Sequence, residues 1–120
     1  VTAPVDAGTV ADLIARTRFH AADEATLQAG IAEVLRQAGA PVAREVRLTA
    51  RERIDFLIGR LGVEVKIKGS VHDVRRQLIR YAATGALDEI LLISTHVTHS
   101  QFHGTEVGGL RVWVARPRWR

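Results

Sequence analysis

The sequence predicts an α/β protein built around a mixed β-sheet flanked by helices. Three observations carry that expectation. Leu27, Ile31, Val34 and Leu35 recur at helical spacing and so share one face of a helix. The β-rich segments "RIDFLI" and "GVEVKIK" are separated by "GRLG", a hairpin signal. The nearly all-apolar "DEILLIST" (88–95) follows a second helical pattern, and its length and β-branching suit a buried central strand.

In chain order, residues 1–8 read as a loose arm with Pro4 and Gly8 as breakers. Residues 9–19 read as a short helix. The longer helix runs over 23–38 and stops at Gly39 and Pro41. "VAREVRLT" (42–49) alternates as a strand, and the hairpin follows. "GSVHDVRRQLIRYAATG" opens a helix at Ser70, with Asp73 as the capping-box partner and Gly85 as the stop. Its stripe is Val71, Val74, Leu78 and Ala82. After the central strand, 96–109 is polar and glycine-containing, with room for a short helix. "LRVWVA" (110–115) alternates as the last strand, and the basic tail "RPRWR" (116–120) ends the chain. The order is α-β-β-β-α-β-(α)-β, in a single domain over 1–120.

Composition narrows the function classes. Of the 120 residues, 47% are hydrophobic and 25% charged, a globular balance rather than a disordered one. The net charge of +4 favours anionic partners such as nucleic acid. With no Cys, disulfides and thiolate zinc sites are excluded. No apolar run approaches the roughly 18 to 20 residues of a membrane span, and the first ten residues lack a secretory layout. A soluble, cytoplasmic protein with no membrane partner is expected.

The cations are unevenly chosen. Of 17 Lys plus Arg only two are Lys, and both, Lys66 and Lys68, lie in the hairpin. Strand alternation puts Glu64, Lys66 and Lys68 on one face, with Val63, Val65 and Ile67 on the other. In the first strand it sets Asp55 and Leu57 against Ile54, Phe56 and Ile58. Asp55 then lies beside Glu64 and Lys66, backed by apolar side chains. Neighbouring carboxylates repel unless something positive sits between them, and a hard divalent cation such as Mg²⁺ is the natural occupant. Exposed strands also alternate Glu and Lys for solubility, which is the competing reading of this spacing.

"ID", a nine-residue step and then "EVK" resemble the signature of the PD-(D/E)XK nuclease superfamily, with Ile54 where Pro is usual. Gln77 and Tyr81 in "QLIRY" resemble the Q-x3-Y element of RecB-type nucleases. The helix "EATLQAGIAEVLRQAG" is similar to the first helix of that restriction-endonuclease-like fold. The resemblance covers about residues 23–95. It implies that Asp55, Glu64 and the Val65 carbonyl hold the metal and that Lys66 positions or activates water. Gln77 and Tyr81 would line the site. A helix-borne acid would join the metal: Glu24, with Gln28 one turn on, or alternatively Glu33. The implied reaction is phosphodiester hydrolysis with Mg²⁺, for which Mn²⁺ can substitute.

Lys68, Arg75, Arg76 and Arg80 are candidate nucleic-acid contacts, because Arg forks onto phosphate oxygens. Arg116, Arg118 and Arg120 of the tail could serve likewise; a solvated surface is the competing reading for all of them. On a helix His96, His99 and His103 would share a face as zinc ligands, but Gly104 favours a polar loop instead. Trp113 and Trp119 read as packing side chains rather than base-stacking platforms.

The expected function is a Mg²⁺-dependent endodeoxyribonuclease. Similar small nucleases of the Holliday-junction-resolvase and virus-type replication-repair kinds act on branched or broken DNA, in repair, recombination or defence against mobile elements. A homodimer would give such a core reach over two strands. RNA as substrate is left open, as is a restriction-type enzyme. The rival from another class is a non-catalytic nucleic-acid-binding or scaffold module on the same fold.

Overall fold

Three side-chain oxygens start the three α-helices of the described residues. Asp6 accepts from the Thr9 N–H and opens α1 (Ala7–Arg16). Asp23 accepts from the Thr26 N–H and opens α2 (Glu24–Gln37). Ser70 accepts from the Asp73 N–H and opens α3 (Val71–Ala83). Each satisfies one amide left orphaned in the first helical turn. The computed structural model describes residues 5–20 and 23–119, so residues 1–4 of the expected arm and Arg120 lie outside the described residues.

The strands are β1 (Arg18–Phe19), β2 (Ala43–Arg47), β3 (Arg53–Ile58), β4 (Leu61–Lys66), β5 (Glu89–Ser94), β6 (Thr105–Val107), β7 (Leu110–Ala115) and β8 (Arg118–Trp119). Six of them form one mixed sheet in the order β2-β3-β4-β5-β7-β6. β3 runs antiparallel to both β2 and β4, whereas β4, β5 and β7 are mutually parallel and β6 returns antiparallel to β7. β5 is the central strand that its apolar sequence called for. β1 and β8 make a separate two-stranded parallel ribbon.

Alternation along the strands divides the apolar side chains between two layers. Phe56, Ile58, Val63, Val65, Leu91 and Ile93 pack against α1 and α2 through Val10, Ile14, Leu27, Ile31 and Leu35. Ile90, Leu92 and Val112 pack against α3 through Val74, Leu78 and Tyr81, with Phe102 from the 3-10 helix Val97–Phe102. Among the described residues no helix is long and apolar enough to cross a membrane.

Four expectations need correcting. The first helix starts at Ala7, inside the supposed arm, and stops at Arg16, because Thr17 turns to extended backbone. β4 ends at Lys66, where its ladder to β5 ends, so Lys68 lies in the following loop rather than on the strand face. Ile54 joins the α3 layer while Phe56 and Ile58 join the other. Gly62 makes the room: a Cβ there would come within 3.2 Å of Ile54 Cδ1. The fourth concerns 96–109, which holds β6 as well as a 3-10 helix and so completes an antiparallel pair with β7.

Two glycines in helices make opposite predictions. A Cβ on Gly30 would stand 2.9 Å from Phe19 Cδ1, whereas one on Gly8 meets only Asp6 Oδ1 at an ordinary 3.5 Å. Gly costs about 1 kcal/mol relative to Ala in a helix. Gly8→Ala should therefore raise the melting temperature. Gly30→Ala should lower it despite the better helix propensity, because the buried Phe19 ring must move. Paired thermal melts check this, and a stabilised Gly30→Ala would contradict it.

Candidate active site

The β3–β4 ladder pairs Phe56 with Val63, Leu57 with Gly62 and Ile58 with Leu61, and goes no further. Beyond it the strands part, and side chains bond the main chain across the gap. The Asp55 N–H donates to Glu64 Oε1 at 3.2 Å. The Val65 N–H donates to Asp55 Oδ2 at 2.8 Å. Each carboxylate thus satisfies the main chain of the opposite strand, and the two acids are held facing each other across the gap. A strand residue's N–H and C=O point to the same side, so the Val65 carbonyl faces this gap too.

From α3, Tyr81 and Gln77 brace the opening. The Tyr81 hydroxyl donates to the Arg53 carbonyl at 2.9 Å and accepts from Gln77 Nε2 at 3.0 Å. The same Gln77 amide reaches Glu64 Oε2 at 3.4 Å. Because the single hydroxyl proton of Tyr81 goes to Arg53, Glu64 takes its helix-side contact from Gln77. The Q-x3-Y spacing on α3 thus brings Gln77 to Glu64 and Tyr81 to the Arg53 carbonyl. Lys66 Nζ stands 3.5 Å from Glu64 Oε2.

The electrostatics are those of an uncompensated pair. Burial, then the neighbouring Asp55 charge, push Glu64 up to about 7, against the lowering influence of Lys66 and the Asp55 N–H. Glu64 is only 5% exposed. Asp55 is raised as well, by burial first and then by the charge of Glu24. Burial and the Glu64 charge raise Tyr81 above its ordinary value, which keeps it a neutral donor.

Sequence reasoning missed the clamp on the segment that carries Lys66. The Thr95 N–H donates to the Lys66 carbonyl at 3.1 Å, and the Thr95 hydroxyl to the Ile67 carbonyl at 3.3 Å. His99, fully buried, bonds the Gly69 carbonyl through Nε2 at 2.8 Å and Ser94 Oγ through Nδ1 at 2.6 Å. A carbonyl only accepts, so Nε2 carries the hydrogen and Nδ1 accepts from Ser94. His96 stacks on His99, while His103 Nδ1 accepts from the Val114 N–H. Among the described residues no zinc grouping forms: the His99 and His103 imidazoles make separate hydrogen bonds and the His96 ring stacks on His99. A histidine and a serine five residues apart, the serine ending an apolar strand, were the signal available in the sequence.

The other expected site residues divide. Glu24 opens α2 close enough for its charge to act on Asp55. Glu33 is engaged elsewhere, with Arg36 at 2.5 Å and Gln37. Gln28 is half-buried on the same helix. Among the described residues no three His, Cys, Asp or Glu side chains cluster as metal ligands, so Glu24 does not join Asp55 and Glu64 in one cluster. Arg75 lies over the Phe102 ring, Arg76 pairs with Asp73, and Arg80 Nε pairs with Glu52 at 2.9 Å. All three are exposed, but each already has a partner. Lys68, Lys66, Gln77 and Arg80 line a cleft of about 200 Å³. A larger cavity, about 620 Å³, lies at the opposite end of these strands, by Gly59 and Arg60, and takes no part in this site. Of the two tryptophans, Trp113 packs, donating Nε1–H to Glu89, whereas Trp119 is exposed, against expectation.

The donor set fits a hard divalent cation: two carboxylates and a facing main-chain carbonyl, all oxygen, with a repulsion that such an ion would relieve. Comparison with protein-family models, curated proteins and solved structures finds no match for the chain.

A carboxylate held above its ordinary value favours the protonated folded state. That stability is complete below about pH 4.5 and is lost as the pH rises through the folded value of about 7. For Glu64 the rise corresponds to roughly 3 kcal/mol. Without divalent ions, the melting temperature should fall between pH 5 and 8. Glu64→Gln, which keeps an acceptor for the Asp55 N–H, should melt higher than the parent at pH 8 and show a flatter profile. Equal slopes in the two proteins would contradict the burial argument.

Proposed function

We propose that the chain is a divalent-cation-dependent nuclease of the PD-(D/E)XK kind, hydrolysing phosphodiester bonds in DNA. The observation that carries this reading is the crossed pair: Asp55 and Glu64 bond each other's main chain across the splayed hairpin, with Lys66 at 3.5 Å from Glu64. A structural ion pair would not need a buried and a half-buried carboxylate to one ammonium. Buried unpaired charge is costly, and a fold tolerates it where a ligand is to compensate it.

Mg²⁺, or Mn²⁺ in its place, would be held by Asp55, Glu64 and the Val65 carbonyl, with Glu24 as a more distant acid. Such an ion supplies positive charge against the phosphoryl oxygens and acidifies water. The chain's own groups do the rest. Lys66 presents a compact ammonium that can hold the attacking water and offset charge on the phosphate. Gln77 keeps Glu64 turned towards the gap, and Tyr81 keeps β3 parted from β4 by holding Arg53. Lys68, with Arg76 and Arg80 once freed from their carboxylates, would meet phosphates along the 200 Å³ cleft. Two copies acting as a homodimer would address two strands, which suits branched or junction DNA.

Purified protein incubated with plasmid and branched DNA, in Mg²⁺, Mn²⁺ or EDTA, tests the reading. Cleavage should require the ion and vanish in Asp55→Asn. Lys66→Arg conserves charge but replaces a compact ammonium with a planar fork too wide for the same gap. It should lose most single-turnover cleavage, about as much as Lys66→Ala, while DNA binding survives. Binding without cleavage by the parent under all ions would instead support the non-catalytic module.

A further inference from the structure

The C-terminal tail is built into the fold through Arg118 and Trp119. Trp119 pairs with Phe19 and Arg118 with Arg18 in the β1–β8 ribbon. Phe19 is buried against α2 at Gly30, the close approach that a Cβ would block. Arg118 Nη1 donates to the Ala15 carbonyl at 3.3 Å and Arg18 Nη1 to the Trp119 carbonyl at 3.4 Å. These bonds fix each guanidinium through one of its five N–H groups and leave the others for a ligand.

The ribbon's position matters. Val65, Ile93 and Ala115 are in register across three parallel strands. The tail therefore leaves β7 at the end of the sheet where β4 delivers Lys66, and ligands of open α/β sheets bind beyond this end. On its other side, β1 leads into α2, whose first residue Glu24 acts on Asp55. Arg18, Arg116 and Arg118 are exposed, and none has a carboxylate partner among the described residues. Trp119 is 37% exposed beside them.

We propose that this ribbon is a ledge for single-stranded nucleic acid entering the Asp55–Glu64 site. Arg18, Arg116 and Arg118 take phosphates, and Trp119 takes an unpaired base. A duplex interior offers no free base face to an indole, whereas an unpaired base stacks on it whatever its identity. The inference rests on the nucleic-acid half of the proposed function, not on cleavage.

The test is fluorescence anisotropy in EDTA, with blunt duplex DNA and the same duplex bearing a single-stranded tail. The parent should prefer the tailed DNA. Trp119→Leu keeps apolar bulk without a flat ring and should weaken tailed binding by about tenfold, leaving blunt binding unchanged. Trp119→Phe should keep most of the preference. Arg116→Ala with Arg118→Ala should lower the salt slope on the tail by about 1.4, since each single-strand contact contributes about 0.7. Thermal melts accompany each variant, and the Phe variant distinguishes loss of stacking from loss of the ribbon. No tail preference in the parent, or parent-like tail binding by Trp119→Leu, overturns the ledge. Because EDTA excludes ion-dependent cutting, a protein that binds tails through Trp119 but never cleaves keeps the ledge and loses the nuclease. One that cleaves with Trp119→Leu binding intact does the reverse.

Discussion

A buried and a half-buried carboxylate hold two main-chain amides where the β3–β4 ladder stops, and the rest of the site follows from that arrangement. Had β3 stayed paired with β4 past Phe56, the Val65 amide would have bonded a main-chain carbonyl of β3 and not the Asp55 carboxylate. Instead the Asp55 N–H is taken by Glu64 and the Val65 N–H by Asp55. The amides are satisfied, but only by groups that carry negative charge and resist burial. Protonation near neutral pH is one way to relieve that conflict; a bound cation is the other.

Much of the surrounding structure serves to hold the strands apart. Tyr81 occupies the Arg53 carbonyl that the parted strand exposes, and Glu52 ties the residue before it to Arg80 on α3. Ile54 swings into the α3 layer over Gly62, which has no side chain to stop it. On the far side of β4, Thr95 and His99 fix the carbonyls of Lys66, Ile67 and Gly69. Lys66 therefore rises from a segment pinned on both flanks, which is what a group required at one place needs.

Periodicity made most of the architecture legible. The helices over 23–38 and from Ser70, the hairpin and the central strand all follow from patterns whose physical cause is local. The candidate face was legible for the same reason, since alternation alone set Asp55, Glu64 and Lys66 together. What escaped depends on partners far along the chain. Ile54 left its expected face because Gly62, in the facing strand, gave it space. The ribbon of the tail was not legible because its partner, Arg18–Phe19, is about a hundred residues away and too short to show a period. His99 looked like a possible ligand because nothing in its neighbours announces the Gly69 carbonyl it holds.

The central claim is that the crossed carboxylates await a divalent cation, and calorimetric titration of Mg²⁺ or Mn²⁺ at pH 7 tests it most directly. Run in buffers of different ionisation enthalpy, it counts protons released on binding. With Glu64 near its midpoint at about 7, the ion should displace about half a proton per site. The release should fade by pH 9, where the carboxylate is already ionised, and Asp55→Asn should abolish binding. Absence of binding, or binding that Asp55→Asn leaves intact and that releases no proton at pH 7, would contradict the claim.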